Sequence, residues 1–127
     1  MADGYSAIHA ALPSVISNRV LHEGHGGTLH LIGVPISDEG IHHLHGLSRL
    51  KSLSLYRTHI TDVGMSRLPS LPNLVELDLP GDHISDAGLA RLKTLSHLRE
   101  LFLDGARVSD ERRADLQRDL PSLVIND

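Results

Sequence analysis

The 127-residue chain contains no cysteine and no tryptophan. Without thiols, a disulfide framework, a thiolate nucleophile and a Cys-ligated zinc site are all excluded. Tyr5, Tyr56 and Phe102 are its only aromatic residues, so any core must be aliphatic, and leucine supplies most of it. No run approaches the roughly 18 apolar residues of a membrane span. The opening "MADGYSAIHAALPSVI" lacks a basic leading region and a long apolar stretch, so no signal peptide is expected and a cytoplasmic location is the default. A formal charge of −4 offers no basic stripe for nucleic acid. The length suits one domain.

What the chain does have is a phrase that returns. "ISDEGIHHL" (36–44), "ITDVGMSRL" (60–68) and "ISDAGLARL" (84–92) recur at a spacing of 24, and "VSDERRADL" (108–116) is a weaker fourth copy. Stacking the chain at that period aligns Leu29, Leu53, Leu77 and Leu101; Leu31, Leu55, Leu79 and Leu103; Ile36, Ile60, Ile84 and Val108; and Leu44, Leu68, Leu92 and Leu116. Each unit changes period midway. "LHL", "LSL", "LDL" and "LFL" alternate as half-buried strands do, whereas Ile41, Leu44, Leu47 and Leu50 step by three as a helix's buried stripe does. Strand, turn and helix repeated in this way predict an α/β fold, a parallel sheet with helices along its other side. No unit can bury its own apolar face, so the units must stack.

Within the phrase, Ser37, Thr61, Ser85 and Ser109 stand where helices are expected to begin, and a hydroxyl there can accept from an orphan backbone N–H. Asp38, Asp62, Asp86 and Asp110 follow in the first turn, where negative charge meets the positive helix end. Gly40, Gly64 and Gly88 leave room for a neighbouring unit. Structure accounts for the whole phrase without chemistry.

These columns resemble the leucine-rich repeat superfamily, nearest to its 24-residue bacterial type with ribonuclease-inhibitor-like and GALA-like repeats. The carrying motif is L-x-L-x(4)-[IV]-[ST]-D-x-G-[ILM]-x-x-L, over residues 28–123, about three quarters of the chain. "LQRDLPSLVI" (116–125) is similar to the endings that cap many bacterial members. The resemblance implies a right-handed solenoid with a short parallel sheet on its concave face and helices on its convex face. It implies a protein-binding concave surface and neither catalytic residues nor a cofactor. The departures are local. Val34, Thr58, Asp82 and Ala106 stand where Asn or Cys is frequent, so no buried Asn ladder is expected. Unit four replaces the Gly with Arg112 and the next apolar residue with Arg113, and Leu120 lies four beyond Leu116 where other units step by three. Charge is tolerable on a last unit, which has no neighbour beyond it.

Residues 1–27 are expected to cap the stack, with a short helix over "YSAIHAALPSVI" and the first strand of a hairpin pairing Arg19–His22 with Thr28–Leu31. That segment is too short for an F-box, which makes a ubiquitin-ligase adaptor role unlikely for this chain alone. Residues 124–127 form the C-terminal end.

With the strand leucines inward, the residues around them face a partner. The central outward column is His30, Ser54, Asp78 and Phe102; Glu76 and Glu100 precede it, and Tyr56, Arg57 and Asp104 follow it. Tyr56 and Phe102 are candidate apolar anchors. Glu76 and Glu100 are expected on adjacent strands, about 4.8 Å apart, where like charges cost a few tenths of a kcal/mol. With Asp78 and Asp104 they form an acidic patch suited to a basic protein or peptide. The ten histidines raise a metal reading. Zinc needs three or four converging ligands, but His42 and His43 diverge by about 100° on a helix, and only His22, His25 and His30 could meet, across the hairpin. Three functions follow: a non-enzymatic protein-binding module, which is favoured; a His-rich metal-dependent hydrolase; and a structural or oligomerising fragment of a larger assembly. The hydrolase lacks a nucleophile motif, a Gly-rich phosphate loop and any cleft-forming insertion.

Overall fold

Each Leu-x-Leu triplet becomes a short strand. In the computed structural model, which describes residues 21–22, 27–31, 36–44, 48–68, 70–103 and 105–126, β2 spans Thr28–His30, β3 Ser52–Ser54, β4 Glu76–Asp78 and β5 Glu100–Phe102. They lie parallel, with Leu29, Leu53, Leu77 and Leu101 as successive partners. The sheet thus advances by one 24-residue unit per strand. Two more strands complete it in the order of the chain. β1 (Leu21–His22) pairs antiparallel with β2, as the hairpin reading expected. β6 (Val124–Asn126) pairs parallel with β5, with Ile125 beside Leu101. The fold is mixed α/β, with five parallel strands and one antiparallel edge strand. The expectation of four parallel strands missed β6, because "VIN" carries no leucine. The expected N-terminal helix, the expected glycine-rich turn with His25, and Asp104 lie outside the described residues.

The leucine columns close the core. Leu29, Leu31, Leu53, Leu55, Leu77, Leu79, Leu101 and Leu103 are each at most 1% exposed. Ile36, Ile60, Ile84, Leu44, Leu68, Leu92, Leu50, Leu74 and Leu98 join them from the turns and the opposite side. Val108 is only partly buried, consistent with its place in the last unit.

Opposite the sheet, the units use short helical turns. Asp62–Ser66 and Asp86–Leu89 are α-helical, Ala90–Thr94 continues as a 3-10 turn, and Asp110–Asp119 is a continuous α-helix. The spacing of the buried leucines follows the geometry. Leu92 to Leu95 is a step of three on the 3-10 segment, and Leu116 to Leu120 is a step of four on the α-helix. The additional residue of unit four is thereby absorbed before β6, which regains the common register. The first unit departs from expectation. No helix starts at Ser37; a 3-10 turn covers Gly40–Leu44 instead, and Ser37 forms an isolated parallel bridge with His59.

The reason lies in a second role of the aspartates, beside the first-turn position expected of them, which Asp62, Asp86 and Asp110 do take. Asp38 accepts hydrogen bonds from the backbone N–H (2.7 Å) and hydroxyl (2.5 Å) of Thr61 in the next unit. Asp62 does the same for Ser85, at 2.8 and 2.5 Å, and Asp86 for Ser109, at 2.7 and 2.7 Å. Each helix start is thus tied to the carboxylate of the unit before it. Among the described residues no carboxylate meets Ser37, and that unit forms only the tighter turn. The hydroxyls keep part of their expected capping role. Thr61 accepts from the Val63 N–H and Ser109 from the Arg112 N–H, but Ser85 makes no cap bond.

These carboxylates explain the glycines. A Cβ on Gly64 would fall 2.2 Å from Asp38 Oδ1, and one on Gly88 would fall 2.3 Å from Asp62 Oδ1. A side chain there would push the carboxylate off its partners. Arg112 occupies the same position in unit four, and its guanidinium charge favours the ionised form of Asp86.

Three predictions follow from the packing. Leu77 is fully buried between two units, so Leu77→Ala should cost about 2–5 kcal/mol. Val63→Ala, at a site 52% exposed, serves as the control, and urea midpoints of the two variants check the difference. Gly→Ala in a helix usually stabilises by about 0.4–1 kcal/mol, yet Gly64→Ala should destabilise, by roughly 1–2 kcal/mol for the displaced hydrogen bonds. Much of that loss should vanish in an Asp38→Ala background, as a double-mutant cycle would register. The third concerns pH. Burial would raise the Asp38 carboxyl, but hydrogen bonds from the Thr61 hydroxyl and the Thr61 and Gly64 amides, with the charge of Arg67, outweigh it and hold Asp38 below its ordinary range. The Ser109 amide and hydroxyl lower Asp86 likewise. A carboxyl lowered in the folded state binds its proton more readily when unfolded. Its contribution is therefore complete above the unfolded value of about 3.9 and is lost as pH falls through the native one. Denaturation midpoints between pH 6 and pH 3 should fall less steeply for Asp38→Asn/Asp86→Asn than for the unsubstituted chain.

Candidate functional site

The outward positions of β2 to β5 form a shallow groove of about 190 Å³, lined by His30, Ser52, Ser54, Glu76, Asp78 and Phe102. Parallel pairing places these residues. His30, Ser54, Asp78 and Phe102 are successive partners across the four strands, and Glu76 lies between Ser52 and Glu100. His30 and Glu100 are exposed, whereas Glu76, Asp78 and Phe102 are half-buried.

Ser54 was expected to be an exposed outward residue, and it is not. It faces outward but is only 6% exposed, and its hydroxyl donates to Asp78 Oδ2 at 3.2 Å. Ser52 donates to Glu76 Oε1 at 2.8 Å. The two acids of β4 therefore lean toward the serines of β3. Glu76 and Glu100 are register partners, as expected. The bond from Ser52 fixes one Glu76 oxygen on the β3 side, which eases the repulsion between the two. Phe102 closes the groove on the β5 side as its apolar wall.

Tyr56 and Arg57 belong to a second groove. It measures about 400 Å³ and is lined by Tyr56, Arg57, Thr58, His59, Pro80, Gly81 and His83, beyond the strand ends of units two and three. The two aromatic residues expected to act together thus line separate grooves. Thr58 is buried and donates to the Leu55 carbonyl at 2.8 Å, closing its own turn where an Asn ladder is missing. Arg57 has φ +60, in the left-handed region, and its guanidinium carbon stands 5.2 Å from the centroid of the Tyr56 ring. Unit four has Gly105 at this position, with φ +86. A non-glycine residue there costs about 1–3 kcal/mol, and an exposed cation–π contact returns about 0.5–1 kcal/mol.

Sequence reasoning did not select His59, His83 or Arg107. The signal was present: these exposed residues immediately precede Ile60, Ile84 and Val108, so they form a cationic or imidazole column on successive units. Asp104, a selected site residue, lies outside the described residues, as does His25 of the metal reading. Among the described residues no group of three or more His, Cys, Asp or Glu side chains converges to hold a metal. No helix among them is long and apolar enough to cross a membrane. Neither a protein-family model nor a curated protein matches the chain.

Proposed function

We propose that the chain is a non-enzymatic binding module of the leucine-rich-repeat type, with the sheet on the concave face of a short solenoid, and that it holds a basic segment of a protein partner across its strands. The single observation that carries this reading is the groove over β2 to β5. It sets Glu76 and Asp78 beside the apolar wall of Phe102, with Glu100 on the neighbouring strand. A lysine or arginine placed there would meet carboxylates already oriented by Ser52 and Ser54. An adjoining apolar side chain would rest on Phe102. The repeated 24-residue register and the buried leucine columns support the architectural half of the reading. A cytoplasmic protein with neither nucleic-acid nor membrane partners fits the same picture.

Affinity capture from the source cell, with the unsubstituted chain beside Phe102→Ala, tests it. For the captured partner, Phe102→Ala should accelerate dissociation with a loss of at least about 1–2 kcal/mol. Glu76→Gln/Glu100→Gln should slow association, chiefly at low salt. In the free protein Glu100→Gln should raise stability by a few tenths of a kcal/mol by removing a like-charge neighbour. Glu76→Gln should not, because it weakens the bond from Ser52. A partner whose affinity ignores all of these substitutions would move the binding surface elsewhere.

A further inference from the structure

We propose that the groove beyond the strand ends is an oxyanion site, in which Arg57, His59 and His83 receive a phosphate or carboxylate group beside the Tyr56 ring. The proposal is separate from the acidic groove on the strands and would stand without it. Three observations meet here. First, Arg57 keeps a left-handed backbone at a position where unit four has glycine. Strain of this kind is uncommon and clusters at binding sites, which makes Arg57 a place to look for one. Second, the guanidinium is held over the Tyr56 ring. Among the described residues Arg57 makes neither an ion pair nor a side-chain hydrogen bond, and the rings of His59 and His83 make no hydrogen bond. Third, Pro80 and Gly81 floor the groove without a long side chain, so a ligand can approach the backbone closely. A planar guanidinium presents paired N–H donors that match two oxygens of a phosphate or carboxylate. The two imidazoles, on successive units, can donate to a further oxygen.

The test uses the whole chain and two probes at constant ionic strength, inorganic phosphate and acetate, followed by amide chemical shifts in NMR. Saturable shifts centred on Arg57, Thr58, Gly81 and His83 are expected. Saturation with phosphate alone would assign the site to phosphate, and saturation with both would assign it to oxyanions in general; either supports the proposal. The decisive variant is Arg57→Gly. It relieves the backbone, so its thermal midpoint should stay level or rise, while the apparent affinity for the saturating probe should fall at least about tenfold. Arg99→Ala, which removes an exposed cation elsewhere, should leave affinity unchanged. Glu76→Gln/Glu100→Gln should not weaken it, which separates this site from the strand groove. Shifts that never saturate with either probe, or an affinity indifferent to Arg57→Gly, would overturn the proposal. A rise in stability without a change in affinity would leave Arg57 a surface residue and would overturn it as well.

Discussion

The first three units of this chain each reach forward with a carboxylate to the amide and hydroxyl that begin the next unit's helix, and the spacing of the stack depends on that bond. Parallel strand pairing fixes the distance between units on the sheet side. On the other side there is no ladder, and helical turns of four or five residues are too short to be stable alone. The Asp38–Thr61, Asp62–Ser85 and Asp86–Ser109 pairs supply the missing tether. Their geometry then dictates the glycines at 64 and 88, whose absent side chains leave the space the carboxylates fill. Further along each unit, Asn73 Nδ2 donates to the Ser48 carbonyl and Arg91 Nε to the Leu68 carbonyl, again across units. The leucine core fills a volume whose width these polar ties have set.

The outermost described units differ from the inner ones. Among the described residues no carboxylate meets Ser37, and the first unit forms a 3-10 turn. At the other end, Asp110 begins a helix of 10 residues, long enough to hold its own hydrogen bonds. Unit four starts its helix with a different backbone, Ser109 at φ −73 and ψ 158 against −118 and −173 at Thr61, and there Asp86 keeps both bonds to Ser109 with Arg112 in the glycine's place. β1 covers one side of the five parallel strands, and β6, with Val124 exposed, forms the other edge.

The sequence made the leucine columns, the strand register and the hairpin legible, because periodicity survives into packing without change. Leu53 and Leu77 sit where their spacing puts them, and Glu76 does face Glu100. Side-chain partners between units were harder to read. Asp38 looked like a helix-end charge because its true partner lies 23 residues away in sequence. Ser54 looked exposed because an outward position says nothing of the taller side chains flanking it. β6 was missed because its pairing comes from the register of β5 more than from its own composition. The strain at Arg57 left a trace that could have been followed, since its column otherwise reads Gly33, Gly81 and Gly105. Of the described residues in that column, Arg57 and Gly105 share the left-handed backbone, whereas Gly81 opens a 3-10 turn.

Among the described outward residues, the acids Glu76, Asp78 and Glu100 stand on the strand columns, and Arg57, His59, His83 and Arg107 stand just beyond; the sequence also sets Asp82 and Asp104 in these outer columns. Salt at physiological ionic strength screens exposed charges beyond about 8 Å, so under the two readings proposed above each patch would keep much of its own preference. A uniformly basic segment would be favoured over the strands and disfavoured one step further on. An occupant that crosses both must carry its charges in order, a cation over β4 and β5 and then an anion beside Tyr56. Matching such a sequence of signs demands more of a partner than matching net charge, and it is a form of discrimination that a shallow surface can achieve without a deep pocket.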